Sequence, residues 1–138
     1  MQEIWVSDIM SRDVTTCHPG TLLTEVVEQL HKRQFSCLVV VEQKQPVGII
    51  TERDMVTILA DMLEDVSWDS LAVENFMTAS VVSVLEDATL LEAVEVIRSE
   101  GIRHAPVINI QGELVGLLTQ TDIINGYTKA VSPEDIAP

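Results

Sequence analysis

A chain of 138 residues with 46% apolar but only 4% aromatic content can build one core, or two joined half-cores, from Val, Leu, Ile and Met, and needs no staple. Its 22 acidic and 8 basic residues give a net charge of −14, which leaves no basic stripe to displace counterions from phosphates and argues against DNA, RNA or an anionic membrane surface as partner. The first residues show no basic segment followed by an apolar stretch, and no apolar run approaches the ~18 residues of a membrane span, so a cytoplasmic location is expected.

In chain order, residues 6–10 form a lead-in, and Val14-Thr15-Thr16-Cys17 reads as a short strand closed by a turn at Pro19 and Gly20. Leu23, Val26, Val27 and Leu30 then follow i, i+3, i+4, i+7 spacing, the mark of an amphipathic helix. The unbroken apolar runs 37–41 and 47–50, parted by a polar turn containing Pro46, predict a hairpin buried on both faces. Met55, Ile58, Leu59 and Met62 restore helical spacing after Asp54, and the acid-rich stretch 61–70, which holds Trp68, reads as a linker.

The pattern then starts again. Residues 73–77 are a second lead-in and Val81-Val82-Ser83 a second opening strand. Thr89, followed three residues later by Glu92, is a capping box for a helix carrying Leu90, Ala93, Val94 and Ile97. Runs 105–108 and 114–118 repeat the hairpin, Ile123, Ile124 and Tyr127 begin a shorter final helix, and 132–138 reads as a loose tail.

Adding 67 to the residue number aligns Val6 with Val73, Met10 with Met77, Val14 with Val81, Leu23 with Leu90 and Val40 with Val107. After Gln43 the offset becomes 68, which places one extra residue in the second hairpin turn and aligns Gly48, Thr51 and Asp54 with Gly116, Thr119 and Asp122. Each half is strand, helix, strand, strand, helix: a small mixed sheet with two helices on one face and an apolar face left over. Burying that face against the sister sheet gains roughly 25 cal/mol per Å². The expected fold is α/β (α+β), two pseudo-twofold-related β-α-β-β-α units packed sheet to sheet. The first repeat with its N-terminal lead-in spans 1–66, the second 67–130, and the tail 131–138.

Cys17 and Cys37 stand singly in apolar runs without CxxC spacing and read as buried free thiols of a reducing compartment. There is no GxSxG, P-loop or HExxH, and His18, His31 and His104 have no metal-ligand spacing. Strand alternation sends Cys17 and His18 to opposite faces, so they make no nucleophile pair. Neither an enzyme nor a metal site is expected.

The informative motif is Gly-h-h-Thr-x-x-Asp, seen as Gly48-Ile49-Ile50-Thr51-Glu52-Arg53-Asp54 and again as Gly116-Leu117-Leu118-Thr119-Gln120-Thr121-Asp122. It sets a hydroxyl and a carboxylate one turn apart at the mouth of a helix. One reading makes Thr51 and Thr119 helix N-caps, with each Asp at the N3 position complementing the dipole. The other makes each mouth a site for a small polyhydroxyl molecule, and both roles can coexist.

These units, together with Gly101-Ile102-Arg103-His104-Ala105-Pro106-Val107, resemble the tandem cystathionine-β-synthase (CBS) domain family, the Bateman module, over about residues 4–127. The resemblance implies a non-catalytic regulatory module. It would need no cofactor and would bind an adenosyl ligand such as AMP, ADP, ATP or S-adenosylmethionine in the cleft between the repeats, commonly as a homodimer acting on an unidentified effector protein. Carried over by position, Asp122 and Asp54 would accept the ribose hydroxyls and Thr119 and Thr51 would bond sugar or phosphate oxygens. The opening strands (Thr15 and Thr16; Val82 and Ser83) would meet the adenine edge, with Ile102, Pro106 and Val107 flanking the ring. Arg103 and His104 would meet phosphate, His104 more effectively when protonated; the other reading of this basic pair is an exposed turn. The first repeat has uncharged Ser36 and Cys37 at those positions. Arg53 could supply its cation, with Glu52 as an equally plausible surface partner. The stronger site is therefore expected around Thr119 and Asp122, and AMP or S-adenosylmethionine is expected ahead of ATP in so acidic a chain. The rival reading is a ligand-free dimerisation or docking module with degenerate pockets.

Overall fold

The structure, a computed structural model, describes residues 3–33, 37–61 and 70–130. Ser36, Trp68 and the tail lie outside the described residues. In chain order the elements are α1 (Val6–Ile9), β1 (Thr16–Cys17), α2 (Leu23–Arg33), β2 (Cys37–Glu42), β3 (Gln45–Thr51), α3 (Glu52–Asp61), a 3₁₀ turn at Val73–Asn75, β4 (Val84–Leu85), α4 (Leu90–Glu100), β5 (His104–Ile108), β6 (Leu114–Thr119) and α5 (Gln120–Ala130). Both halves follow the expected order. The expectation that the last helix is the shorter concerns helix ends that lie outside the described residues. Among the described residues no helix is long and apolar enough to cross a membrane.

Two compact units result, one from Val14–Val81 and the other from the lead-in through Asp13 together with the chain from Val82 onward. Each contains a three-stranded sheet with its opening strand parallel to the middle one and its hairpin antiparallel. In the first unit Leu38, Val40 and Ile50 turn one face toward Leu23, Val26 and Leu30 of α2 and Met55 and Ile58 of α3. Val39, on the opposite face of β2, is fully buried as well, as an unbroken apolar strand requires. In the second unit Ala105, Val107 and Leu118 meet Ala93 and Ile97 of α4 in the same way.

The turns follow their residues. Glu42 pairs with Gln45 around Gln43 and Lys44, both at positive φ (50° and 67°), the backbone of a two-residue hairpin turn. In the second hairpin Asn109 and Glu113 pair around three residues, Gly112 takes φ 83°, and the Asn109 side-chain oxygen accepts from the N–H groups of Gln111 and Glu113. That longer loop is where the repeat offset changes from 67 to 68. Thr89 caps α4 as its sequence predicts, its hydroxyl accepting from Glu92 N–H at 3.1 Å while Glu92 returns the bond to Thr89 N–H at 3.3 Å.

The lead-ins need a correction. The boundary expected at 66/67 falls outside the described residues, and the lead-in through Asp13 groups with the second unit. Val6 and Met10 are buried in the core of the second repeat, while Val73 and Met77 pack on that of the first. The anchoring is the same in both units. Ser11 and Leu117 exchange two backbone hydrogen bonds of 2.9 Å, and Thr78 and Ile49 exchange bonds of 3.0 and 2.9 Å. The motif glycine makes this possible, because a Cβ at Gly116 would strike Met10 and one at Gly48 would strike Met77.

Candidate helix-mouth binding sites

At the end of β3 the chain turns directly into α3, and Thr51 and Asp54 close a reciprocal cap. Asp54 N–H donates to Thr51 Oγ1 at 3.2 Å and Thr51 N–H donates to Asp54 Oδ2 at 2.9 Å. Thr119 and Asp122 repeat it at 3.1 and 3.0 Å. The capping reading is therefore correct at both mouths. It leaves part of each carboxylate for other donors, because an ionised carboxylate offers about four acceptor positions and the cap takes one.

The second mouth has an additional partner. Ser11 Oγ donates to both oxygens of Asp122, at 3.1 and 3.2 Å. Thr78 holds the corresponding place in the first repeat and gives Asp54 no such bond. Sequence reasoning missed Ser11 and Thr78, although the same 67-residue offset that pairs Met10 with Met77 aligns two hydroxyl residues here.

Strand alternation sorts the other residues. In the second repeat Ala105, Val107 and Leu118 face the helices, so His104 and Pro106, paired in register with Thr119 and Leu117, lie on the opposite face. Arg103 does not join His104 there. It is exposed and, with Ile102, lines a groove of about 530 Å³ bounded by Ile97 and Arg98 of α4 and Gln120 and Ile123 of α5. The basic pair is thus divided between two surroundings. Burial, reinforced by the Arg103 charge, holds the His104 imidazole below its ordinary pKa, so the structure favours the neutral ring over the protonated one expected for phosphate binding. Arg53 is exposed on the first turn of α3 and makes no ion pair with Glu52.

The opening strands differ in an informative way. Val39 N–H donates to Thr15 O at 3.1 Å. Its counterpart in the second repeat is Pro106, which has no N–H, so the Val82 carbonyl lacks that bond and the parallel ladder begins only at Val84 paired with Val107. Ser83 immediately precedes that ladder. In the first repeat Thr16 pairs with Val39 and is exposed, while Thr15, one residue earlier, points the other way. Thr15 Oγ1 is buried without a hydrogen-bond partner. The residue lines a pocket of about 410 Å³ within the first repeat, which runs along residues 14–18 and is closed by Thr21, Glu25, Val26 and Gln29.

Cys17 and Cys37 are free. Burial pushes their thiols up, to about 11 and about 12. Among the described residues no cluster of His, Cys, Asp and Glu is arranged to hold a metal ion.

The CBS domain profile matches residues 6–61 and 73–129. An uncharacterised protein of Methanopyrus kandleri is 31% identical over 125 residues, which are 90% of this chain and 63% of that protein. Inosine-5′-monophosphate dehydrogenase of Thermoplasma acidophilum is 34% identical over 116 residues, 84% of this chain but 22% of the enzyme. The chain therefore spans less than two thirds of either relative. Among solved structures, the CBS domain pair of protein MJ0100, in complex with 5′-methylthioadenosine and S-adenosyl-L-methionine, aligns with a TM-score of 0.80 and 25% identity over 94% of this chain and 100% of that one. A CBS domain protein of Pyrobaculum aerophilum complexed with AMP aligns at 0.76 and 27% identity, over 86% of this chain and 89% of the other. With two matched segments, each carrying the same capped Thr-x-x-Asp mouth, the chain belongs to the CBS domain family as a tandem pair.

Proposed function

We propose that this chain is a regulatory sensor that binds an adenosyl ligand, AMP or S-adenosylmethionine ahead of ATP, and passes the change to an effector protein. Thr51 with Asp54 and Thr119 with Asp122 serve the ribose, the strands bearing Thr15 and Thr16 and Val82 and Ser83 serve the base, and Ile102 and Pro106 flank it. Arg103 and Arg53, both exposed, are the cations offered to a phosphate, and His104 is the third position that the family likeness assigns to it. The observation that carries this reading is the Thr15 hydroxyl. A buried hydroxyl without a partner costs about 1–3 kcal/mol, and the residue that bears this one lines a pocket beside an edge strand whose outer side pairs with no other strand among the described residues. A flat, hydrogen-bonding base meets both requirements. The related pairs bound to AMP and to S-adenosyl-L-methionine support the ligand class.

Dimerisation is part of the proposal. Val56 and Leu59 on α3 are 66% and 48% exposed, and their counterparts Ile124 and Tyr127 on α5 are 64% and 51% exposed. Apolar positions left in water on both final helices suit burial against a second copy. They also favour the rival reading, a dimerisation module without ligand.

Isothermal titration with AMP, S-adenosylmethionine and magnesium-free ATP, alongside light scattering, separates the two. Saturable binding of AMP or S-adenosylmethionine supports the sensor. A dimer that binds none of the three supports the rival, and tightest binding by ATP overturns the charge argument.

A further inference from the structure

We infer that Ser11 makes the two ribose carboxylates unequal, so that the Asp54 mouth fills first and the Asp122 mouth binds ligand only by displacing the Ser11 hydroxyl. This rests on the adenosyl-sensor reading and reverses the ranking expected from the basic residues near Asp122.

The backbones around the two mouths match. Each lead-in exchanges two hydrogen bonds with the strand before the helix, and each Thr and Asp close the same cap. The difference lies in one side chain. Of the roughly four acceptor positions on a carboxylate, Asp54 gives one to Thr51 N–H and keeps about three, with Oδ1 receiving no hydrogen bond. Asp122 gives one to Thr119 N–H and two more to the bifurcated Ser11 hydroxyl, which leaves about one.

A ribose donates through two neighbouring hydroxyls and needs two acceptor positions. Asp54 can provide both as it stands. Asp122 can do so only after Ser11 lets go, so part of the binding free energy there replaces a bond already made. Threonine at position 78 does not copy the serine, because its β-branch restricts χ1 and adds a methyl group to be placed beside the carboxylate.

Titration calorimetry with AMP tests this on the wild type and on Asp54→Asn, Asp122→Asn, Ser11→Ala and Thr78→Ser, each first shown to be folded by a thermal melt. Asparagine keeps one oxygen for the capping N–H and replaces the other with an amide that cannot accept. The expected result is two unequal events, the tighter lost in Asp54→Asn and the weaker in Asp122→Asn. Ser11→Ala should tighten the weaker event roughly three- to tenfold, the value of a hydrogen bond to an exposed charge, and leave the tighter one unchanged. Thr78→Ser should weaken the tighter event. A single event lost only in Asp54→Asn supports the same order. Loss of the tighter or only event in Asp122→Asn, or weaker binding in Ser11→Ala, overturns the inference, since Ser11 would then be a ligand contact. Absence of AMP binding in every folded form overturns the sensor reading as well, which distinguishes the two failures.

Discussion

Gly116→Ala tests the seating of the N-terminal lead-in on the second repeat. A Cβ at this position would meet Met10 and would lie 3.0 Å from the backbone oxygen of Ser11. The Met10 thioether can swing aside, but Ser11 O is held by Leu117 N–H at 2.9 Å, so relief means moving the lead-in and stretching that bond. Overpacking of this kind costs about 1–3 kcal/mol. For a chain of 138 residues each kcal/mol lowers Tm by roughly 3–5 °C, which places the fall between about 3 and 15 °C in a calorimetric scan. Gly48→Ala is the internal control. The three nearest neighbours of its Cβ are all atoms of the flexible Met77 side chain, so it should cost less. Met10→Ala is itself destabilising, since it empties a buried position. It should nonetheless reduce the cost of Gly116→Ala, giving a favourable coupling of about 1 kcal/mol in a double-mutant cycle. An unchanged Tm in Gly116→Ala, or strict additivity with Met10→Ala, would refute the close approach.

Three further outcomes are expected. Thr15→Val removes a buried hydroxyl that has no partner, so it should raise the stability of the ligand-free protein by about 1 kcal/mol in urea denaturation while weakening AMP binding; lower stability with unchanged AMP affinity would show the hydroxyl to be satisfied and functionally idle. With the Cys17 thiol raised from 9.0 to about 11 and the Cys37 thiol to about 12, the native protein at pH 8 holds about a hundredfold and about a thousandfold less of the respective thiolates than the unfolded chain, so a thiol reagent should label it correspondingly slowly, and labelling at the unfolded rate would contradict the burial. For His104 the folded pKa lies below the ordinary value of 6.5, so the unfolded chain takes up the proton first as pH falls. The His104 contribution to stability is full above about 6.5 and is lost between there and the lower folded value. His104→Gln should flatten that part of the stability profile, and an identical profile in the variant would mean that the imidazole is not held neutral.

Local chemistry made much of the fold legible. Leu23, Val26 and Leu30 announce α2 by spacing alone, Thr89 and Glu92 fix the start of α4, and the change of offset after Gln43 reports a longer turn that the structure places around Gly112. The cap at Thr51 and Asp54 could be read for the same reason, since both partners sit within one helical turn. Features that depend on distant pairs were not legible. Nothing in the periodicity of residues 6–10 says that Met10 covers Gly116 or that Ser11 reaches Asp122, because the partners are more than 100 residues apart and no pattern links them. The repeat alignment placed Met10 beside Met77 and Gly48 beside Gly116 without showing that each methionine sits on a glycine. Alternation also separates neighbours that adjacency in the sequence groups together: Arg103 from His104, and Thr15 from Thr16.

The central claim, that the acidic helix mouths hold the sugar of an adenosyl ligand, is tested most directly by a crystal structure of the chain grown with AMP. Ribose hydroxyls are expected within hydrogen-bonding distance of the Asp54 carboxylate, and the Ser11 hydroxyl is expected to be withdrawn wherever Asp122 is also occupied. AMP bound elsewhere, with both carboxylates engaged only by their capping N–H groups and Ser11, would contradict it.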